Sequence, residues 1–317
     1  MQNHLTDDSL SARLRALLTA APDPSQADIA QQVVVVERQL SDGYTNSNHL
    51  LRYGGQRAVL RLGNPAAARL GIDRQRELAI WRMAAACGIS PHLLAFDSGD
   101  GDAVSAFVDA PSAADLLAAG HAFSIAQLAQ LLQRVHALPV DQVGGLMADA
   151  GPMGNVERYV AMRDEYGLVW PDWLPALRAQ LQRVHSTPVA LTLTHHDFNP
   201  WNVLVRRDAP ALMLDWEYAG LGDPLFDLVS AFVHWNMTEA QRHELLHAYG
   251  CEALGHGRIA ALECLFHLRE FTWAGAMLAL GSGNPSVQEQ WDRESAWLAH
   301  WNAQWQAHGQ AVARTFY

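Results

Sequence analysis

Residues 194–227 read THHDFNPWNVLVRRDAPALMLDWEYAGLGDPLFD, and this stretch decides the fold that we predict for the chain. Four residues separate Asp197 from Asn202, and Asp215 follows a short apolar run. The apolar runs on either side of residues 206–210 resemble short strands, and the charges and proline between them are typical of a turn. We therefore predict a loop that holds Asp197 and Asn202, followed by a β-hairpin that ends at Asp215.

The expected hairpin brings two oxygen ligands face to face. With its turn centred on residues 208–209, Asn202 pairs with Asp215, and cross-strand partners lie roughly 5 Å apart. Their side-chain oxygens suit Mg²⁺, which prefers hard oxygen ligands. Phosphoryl transfer assisted by Mg²⁺ also needs a carboxylate that orients the attacking hydroxyl. Asp197 is predicted to fill that role, so the stretch supplies all three groups.

This stretch resembles the catalytic loop and metal-binding aspartate of the aminoglycoside phosphotransferase and choline kinase superfamily, whose members are small-molecule kinases. The DWEYAG sequence at 215–220 is most similar to the choline/ethanolamine kinase and thiamine kinase branch. The resemblance implies an α+β, bilobal, protein-kinase-like fold. A smaller nucleotide-binding lobe of residues 1–109 would contain an antiparallel sheet and one main helix. A larger, mostly helical lobe of residues 110–317 would carry catalysis and bind the acceptor.

The resemblance also implies a role for each polar side chain of the stretch. Asp197 would be the catalytic residue, and Asn202 and Asp215 would hold Mg²⁺. His195 would be a structural support of the same loop. In kinase-like folds an aspartate at the position of Asp227 tethers the backbone of the catalytic loop. A favourable interaction with the dipole of its own helix is the alternative for this aspartate.

Residues 41–48, SDGYTNSN, form a polar segment between two predicted strands. A strand, a small polar loop and a returning strand is the layout of the phosphate-covering loop of kinases, in which backbone N–H groups approach phosphate oxygens. We predict that Gly43, Thr45 and Asn46 contact the nucleotide. The segment contains one glycine, so an ordinary hairpin turn is the alternative.

Arg61 lies inside an apolar strand, where a charged side chain is rarely buried without a partner. The resemblance implies that it contacts the nucleotide phosphates. Glu77 lies on the apolar stripe of a predicted helix, and we expect it to pair with Arg61 as in kinases. An edge-strand arginine that points to water is the alternative for Arg61. Local pairing with Arg74 or Arg76 is the alternative for Glu77.

Two further sets of residues follow from the resemblance alone. Phe107 and Val108 correspond to the hinge whose backbone groups meet the adenine edge. Glu217, Tyr218 and Trp273 correspond to the acceptor side, where an aromatic ring faces a cationic substrate. Cation–π attraction contributes roughly 0.5 to 2 kcal/mol per ring. Core packing is the alternative for Trp273.

The composition restricts the partners of the chain. Its 317 residues carry a net charge of −11, which disfavours nonspecific nucleic-acid binding and is compatible with a cationic small molecule. The three cysteines form no ligand pattern and are interpreted as reduced core residues. No basic apolar leader and no run of about 18 apolar residues is present in the sequence. We therefore predict a cytoplasmic protein without a membrane partner.

Our leading hypothesis is an ATP-dependent kinase that uses Mg²⁺ and phosphorylates an alcohol such as choline, ethanolamine or thiamine. An aminoglycoside, sugar or amino-alcohol kinase is the alternative within the same superfamily. The doublet at 196–197 also suggests a metal-dependent phosphohydrolase, although Pro200 argues for a loop rather than the helix of that class. A nucleotide-binding pseudokinase is the third class.

Two departures from the superfamily pattern lie beside the catalytic aspartate. His196 stands where many members have glycine or asparagine, and Trp201 replaces a frequent glycine. We expect both side chains to crowd the acceptor side. Residues 144–155 are rich in glycine and form either a segment near the acceptor or a plain connection.

Overall fold

The structure is a computed structural model that describes residues 6–21, 32–42, 45–140, 151–167, 169–185, 189–251 and 256–308. The chain divides into two compact units. The first unit comprises residues 1–111 and 204–217, and the second comprises residues 112–203 and 218–317. We predicted lobes of residues 1–109 and 110–317. The observed units place residues 110–111 and 204–217 in the first unit as well.

The first unit is built on one five-stranded antiparallel sheet in the order β1-β2-β3-β5-β4. Two helices accompany the sheet, and the mixture confirms the predicted α+β class. The elements are α1 (Asp7–Ala20), β1 (Val34–Asp42), β2 (Asn46–Tyr53), β3 (Gln56–Gly63), α2 (Arg74–Ala86), β4 (Leu93–Phe96) and β5 (Ala103–Ala106).

The polar segment 41–48 is more regular than we expected. Ser41 pairs with Asn48 and Asp42 with Ser47, so the ends of the predicted turn belong to β1 and β2. The turn prediction was wrong there because strand pairing satisfies the backbone polar groups of these residues whatever their side chains are. Residues 43–44 lie outside the described part of the chain.

Helix α1 packs a stripe of leucines into the core of the first unit. Thr6 caps the helix by accepting a hydrogen bond from the backbone N–H of Ser9. Leu14 and Leu18 are fully buried and share a core cluster with Leu60 of β3. The helix therefore covers the sheet with the face that its 3.6-residue periodicity predicts.

The predicted hairpin is present as β7 (Val203–Leu204) and β8 (Leu212–Met213). Residues 204–217 are fixed to the first unit by hydrogen bonds beyond this pairing. The backbone N–H of Met213 donates to the Ile89 carbonyl at 2.7 Å, and the Trp216 indole N–H donates to the Ser90 hydroxyl at 3.1 Å. These bonds explain why this short segment belongs to the first unit.

The second unit is mostly helical, as predicted. One short antiparallel pair joins β6 (Thr192–Thr194) to β9 (Gly220–Gly222), and β9 was not predicted. Asp223 caps α7 and Pro224 takes its first position. The helices are α3 (Ala113–Ala118), α4 (Ile125–His136), α5 (Pro152–Tyr166), α6 (Leu174–His185), α7 (Pro224–His234), α8 (Glu239–Tyr249), α9 (His256–Ala279) and α10 (Pro285–His308).

Of the segment 144–155, residues 144–150 lie outside the described part of the chain, and α5 begins at Pro152. Within the described residues, no helix combines the length and the apolar character needed to cross a membrane.

Candidate functional site

Asp197 and Asn202 lie together in the loop that follows β6, as predicted. The amide nitrogen of Asn202 donates to Asp197 Oδ2 at 2.8 Å and to the Asp197 carbonyl at 3.1 Å. Asn199 donates to both carboxylate oxygens of Asp197 at 3.0 Å and caps the short 3-10 turn Pro200–Asn202. Because the Asn202 nitrogen is bound to Asp197, its oxygen is the atom available to a cation.

The backbone of this loop is held by Asp227 in the first turn of α7. Its two carboxylate oxygens accept the backbone N–H groups of His195 and His196, each at 2.7 Å. The tether expected of Asp227 is therefore present. It fixes a residue in an unusual conformation, since His196 has φ 63°. That left-handed backbone explains why glycine or asparagine suits this position.

Asp227 in turn contacts His136, the last residue of α4. Nε2 of His136 lies 3.1 Å from Asp227 Oδ2, and Nδ1 lies 2.7 Å from the hydroxyl of Tyr249 in α8. Burial opposes ionisation of Asp227, but the hydrogen bond and charge of His136 outweigh it and hold the pKa of Asp227 at about 2. We did not predict a role for His136 in the site, because its contact with Asp227 joins separate helices.

The ring of His196 does not extend toward an acceptor, so that expectation was wrong. It is fully buried, its Nδ1 lies 3.0 Å from the Tyr218 carbonyl, and its Nε2 lies 2.6 Å from the Thr194 hydroxyl. Burial lowers the pKa of His196 to about 4. The neutral ring therefore donates to the carbonyl and accepts from the hydroxyl. Trp201, in contrast, is 65% exposed.

Two residues near Asp197 were missed. Nε2 of His234 at the end of α7 lies 3.6 Å from Asp197 Oδ1. Arg269 of α9 is buried, donates to the His196 carbonyl and pairs with Glu270. Burial opposes the ionisation of Asp197, but His234 and Arg269 outweigh it and keep the pKa of Asp197 below its ordinary value. Asp197 is thus an ionised carboxylate, as an orienting base must be.

In the first unit, Arg61 and Glu77 form the expected ion pair. Arg61 is 5% exposed, donates to the Gly101 carbonyl at 2.9 Å and lies over the ring of Trp81 at 5.3 Å. Nη1 of Arg61 is also 3.8 Å from Oδ1 of Asp215. The alternative of an edge-strand arginine that points to water is excluded by this burial.

Asp215 follows β8 with φ 62°, a conformation that costs a non-glycine residue free energy. The hydrogen bonds of Met213 and Trp216 on either side of it hold this backbone in place. The Asp215 side chain remains 33% exposed. Strained backbone beside an accessible carboxylate is common at functional sites.

Glu217 lies in a different environment from the one we expected. Its carboxylate is 2% exposed and accepts hydrogen bonds from the Thr45 hydroxyl at 2.6 Å and the Asn46 amide at 2.9 Å. Both donors are residues that we assigned to the nucleotide, whereas Glu217 was assigned to the acceptor. Gly43, the third residue assigned to this loop, lies outside the described part of the chain.

The hinge residues follow β5. The Phe107 N–H donates to the Arg57 carbonyl at 3.2 Å, and the Val108 carbonyl accepts from Ala110 at 2.9 Å. The Phe107 carbonyl and the Val108 N–H take part in no backbone hydrogen bond between described residues. These two groups are therefore the ones that the hinge can offer to an adenine edge.

Tyr218 and Trp273 are brought together within the second unit. The Trp273 indole N–H donates to the Tyr218 hydroxyl at 3.2 Å, and both side chains are partly exposed. Ala276, one turn further along α9, is fully buried. The two residues that the resemblance assigned to the acceptor side are thus neighbours, and their role in binding stays a prediction.

Two described residues offer oxygen atoms of the kind that Mg²⁺ prefers. In the second unit it is the amide oxygen of Asn202, and in the first unit it is the carboxylate of Asp215. The described residues contain no group of three or more His, Cys, Asp or Glu side chains arranged to bind a metal. The phosphohydrolase hypothesis places the doublet at 196–197 on a helix, whereas His196 lies in a loop with its ring buried against Thr194 and Tyr218.

The chain matches the model of the phosphotransferase enzyme family over residues 36–262. The protein LicA of Haemophilus influenzae is 23% identical over 212 residues, which cover 65% of this chain and 60% of LicA. The match therefore spans less than two thirds of that relative's length.

Solved structures share the fold. A choline/ethanolamine kinase family protein from Mesorhizobium loti superposes with a TM-score of 0.68 at 22% identity, covering 96% of this chain and 99% of that one. The GDP complex of aminoglycoside 2'-phosphotransferase-IIIa superposes with a TM-score of 0.61 at 15% identity, covering 90% of this chain and 98% of that one.

Proposed function

Because the chain belongs to the phosphotransferase enzyme family, we propose that it is an ATP-dependent kinase that transfers the γ-phosphate to the hydroxyl of a small cationic alcohol such as choline, ethanolamine or thiamine. The observation that carries the proposal is the tethered loop. In it an ionised Asp197 accepts a hydrogen bond from the amide of Asn202, and Asp227 binds the loop backbone just before Asp197. Such a loop presents one carboxylate and one amide oxygen in a fixed relation.

In the proposed mechanism, Asp197 accepts a hydrogen bond from the acceptor hydroxyl and orients its oxygen toward the γ-phosphorus. The transition state of phosphoryl transfer is loose, so this contribution is mainly positional. Asn202 and Asp215 would hold Mg²⁺, which would supply charge neutralisation at the phosphates when bound. The cation of Arg61 adds positive potential on the nucleotide side.

The acceptor class is supported by charge and by aromatic surface. The chain carries a net charge of −11, and Tyr218 and Trp273 offer adjacent partly exposed rings. A choline/ethanolamine kinase family protein shares the fold. An aminoglycoside acceptor is the second candidate, because an aminoglycoside phosphotransferase shares the fold as well. Both classes are cationic and carry hydroxyl groups. The cytoplasmic location that we expected from the sequence stays a prediction.

The test is ADP release from MgATP, measured over a panel of choline, ethanolamine, thiamine, aminoglycosides and homoserine. We expect ADP release with at least one acceptor, and a fall in kcat of about 10²- to 10⁴-fold in Asp197→Asn with little change in the Kd of ATP. Asp172→Asn, at an exposed position of the second unit, is the matched control.

Two results would contradict the proposed function. Phosphate release from ATP at the full rate without any acceptor would indicate a hydrolase. ATP binding without turnover on any acceptor would indicate a pseudokinase. Near-normal turnover by Asp197→Asn would contradict the assigned role of that residue.

A further inference from the structure

Four buried charged side chains of the first unit alternate in sign. Arg61, Glu77, Arg74 and Glu217 are 5%, 0%, 8% and 2% exposed. Nη1 of Arg74 lies 2.7 Å from Glu77 Oε2 and 3.2 Å from Glu217 Oε2. One guanidinium therefore joins the glutamate that pairs with Arg61 to the glutamate that follows Asp215 by two positions.

The same guanidinium also reaches the start of β2. Nη2 of Arg74 donates to Asn46 Oδ1 at 3.2 Å, while the amide of Asn46 donates to Glu217 Oε2 at 2.9 Å. The Thr45 hydroxyl donates to the other oxygen of Glu217 at 2.6 Å. Thr45, Asn46 and Arg74 thus all donate to Glu217, while burial, followed by the charge of Glu77, raises the pKa of its carboxyl.

This network is closely packed rather than adaptable. A Cβ added at Gly101, which has φ +83°, would lie 2.2 Å from Nε of Arg74. The loop after β4 therefore leaves just enough room for the guanidinium. Buried ion pairs are weak sources of stability, since apolar residues of similar volume often serve as well. What such a network does provide is a fixed geometry for the groups it connects.

We propose that Arg74 and Glu217 are positioning residues for the nucleotide, which hold Thr45, Asn46, Arg61 and Asp215 in one arrangement around its triphosphate. The inference rests on the proposed function and deepens it. It assigns Glu217 to the nucleotide rather than to the acceptor, and it gives Arg74 a role beyond local pairing in α2. Arg74 and Glu217 act through their neighbours, so their loss weakens nucleotide binding while the acceptor side is unaffected.

The experiment measures the Kd of MgATP by calorimetry, together with KM for MgATP and for the acceptor. Arg74→Met and Glu217→Gln are each expected to raise the Kd and KM of MgATP by about tenfold or more, because positioning errors near 1 Å are costly. The KM of the acceptor is expected to stay within about twofold of the wild-type value. Arg74→Lys is expected to bind MgATP more tightly than Arg74→Met does. Lysine keeps the positive charge but lacks the planar set of N–H donors of the guanidinium.

The double variant Arg74→Met/Glu217→Gln tests whether Arg74 and Glu217 act together on MgATP binding or whether each substitution weakens binding independently. Its Kd for MgATP is expected to be no higher than that of Arg74→Met alone, because the two residues act as one unit. Arg242→Met is the matched control, since Arg242 pairs with Glu263 at 3.1 Å in the second unit. This control is expected to lower the melting temperature without changing the Kd of MgATP.

An unchanged Kd of MgATP in both Glu217→Gln and Arg74→Lys would overturn the inference, even if Arg74→Met fails to fold. A rise in the acceptor KM as large as the rise in the KM of MgATP would also overturn the inference. The network would then support the protein in general and not nucleotide binding in particular. A wild-type protein that neither binds MgATP nor releases ADP would instead refute the proposed function, so the two failures are distinguishable.

Discussion

Asp227 Oδ1 accepts the backbone N–H of His196 at 2.7 Å, and this bond joins the start of α7 to a residue with φ 63°. The backbone beside the catalytic aspartate is thus held in an unfavourable conformation by a side chain thirty-one positions away. The energy that fixes the loop comes from a charged acceptor, which forms stronger hydrogen bonds than a neutral one.

Asp227→Asn is therefore expected to loosen the loop. The amide offers one acceptor oxygen where the carboxylate offers two, so one backbone N–H loses its bond. We expect the free energy of unfolding to fall by about 3 kcal/mol. We also expect kcat to fall by about 10²-fold, because Asp197 is no longer held in position.

Urea denaturation and steady-state kinetics measure the two effects. Asp115→Asn is the control, because Asp115 belongs to the capping box of α3 in the same unit. That variant should lose stability and keep kcat. A normal kcat in Asp227→Asn would contradict the positional role of the tether.

His196 is expected to make stability depend on pH. Its pKa is about 4 in the folded protein, against an ordinary value of 6.5, because burial disfavours the charged ring. In the unfolded chain this histidine binds a proton below about pH 6.5, whereas in the folded protein it binds one only near pH 4. Stability is therefore complete above pH 6.5 and falls as the pH drops toward 4, by about 3 kcal/mol from this residue.

His196→Asn removes this titration while keeping a residue that tolerates a positive φ. We expect its free energy of unfolding to change less between pH 7 and pH 4.5 than that of the wild-type protein. His243→Asn, at an exposed position of α8, is the control and should retain the wild-type pH dependence. Identical pH dependence in the wild type and His196→Asn would show that another group is responsible.

The local motifs of the sequence were sufficient to predict the loop that holds Asp197 and Asn202 and the hairpin that follows it. Strand β9 was missed because three residues, two of them glycine, give no readable alternation. Asp197 and Asn202 were found because they lie close together in sequence, and their hydrogen bonds to each other and to Asn199 are local.

The residues that were missed come from distant helices. His136, His234 and Arg269 reach the catalytic loop through packing of α4, α7 and α9, which periodicity does not specify. The direction of Glu217 was unpredictable for another reason. The positive φ of Asp215 breaks the alternation of side chains along the strand, so the pattern no longer indicates which way the next residues point.

Trp273 is expected to affect the acceptor and not the nucleotide. Trp273→Leu removes the ring and its hydrogen bond to Tyr218, while leaving an apolar side chain on α9. For a quaternary ammonium acceptor we expect KM to rise by about 2- to 30-fold, which corresponds to one cation–π contact. The KM of MgATP should stay unchanged.

The control for this prediction is Trp305→Leu, since Trp305 stacks on Trp301 at 5.1 Å in α10. Steady-state kinetics with choline and with an uncharged alcohol of similar size separate charge recognition from shape. An equal rise of KM for both alcohols would mean that Trp273 contributes packing alone.

Asn202 is expected to be required as a carboxamide and not as a carboxylate. Its nitrogen donates to Asp197 Oδ2 at 2.8 Å, so Asn202→Asp replaces that hydrogen bond by two carboxylates at hydrogen-bonding distance. Like charges so close raise the pKa of one of them, and the loop loses the geometry in which Asp197 meets the acceptor hydroxyl. We expect kcat to fall by about 10²-fold even though aspartate is the stronger ligand for Mg²⁺.

Kinetics over a range of Mg²⁺ concentrations provide the measurement, with Asn284→Asp at an exposed cap as the control. If saturating Mg²⁺ restored the kcat of Asn202→Asp, the residue would serve as a ligand alone and its hydrogen bond to Asp197 would not matter.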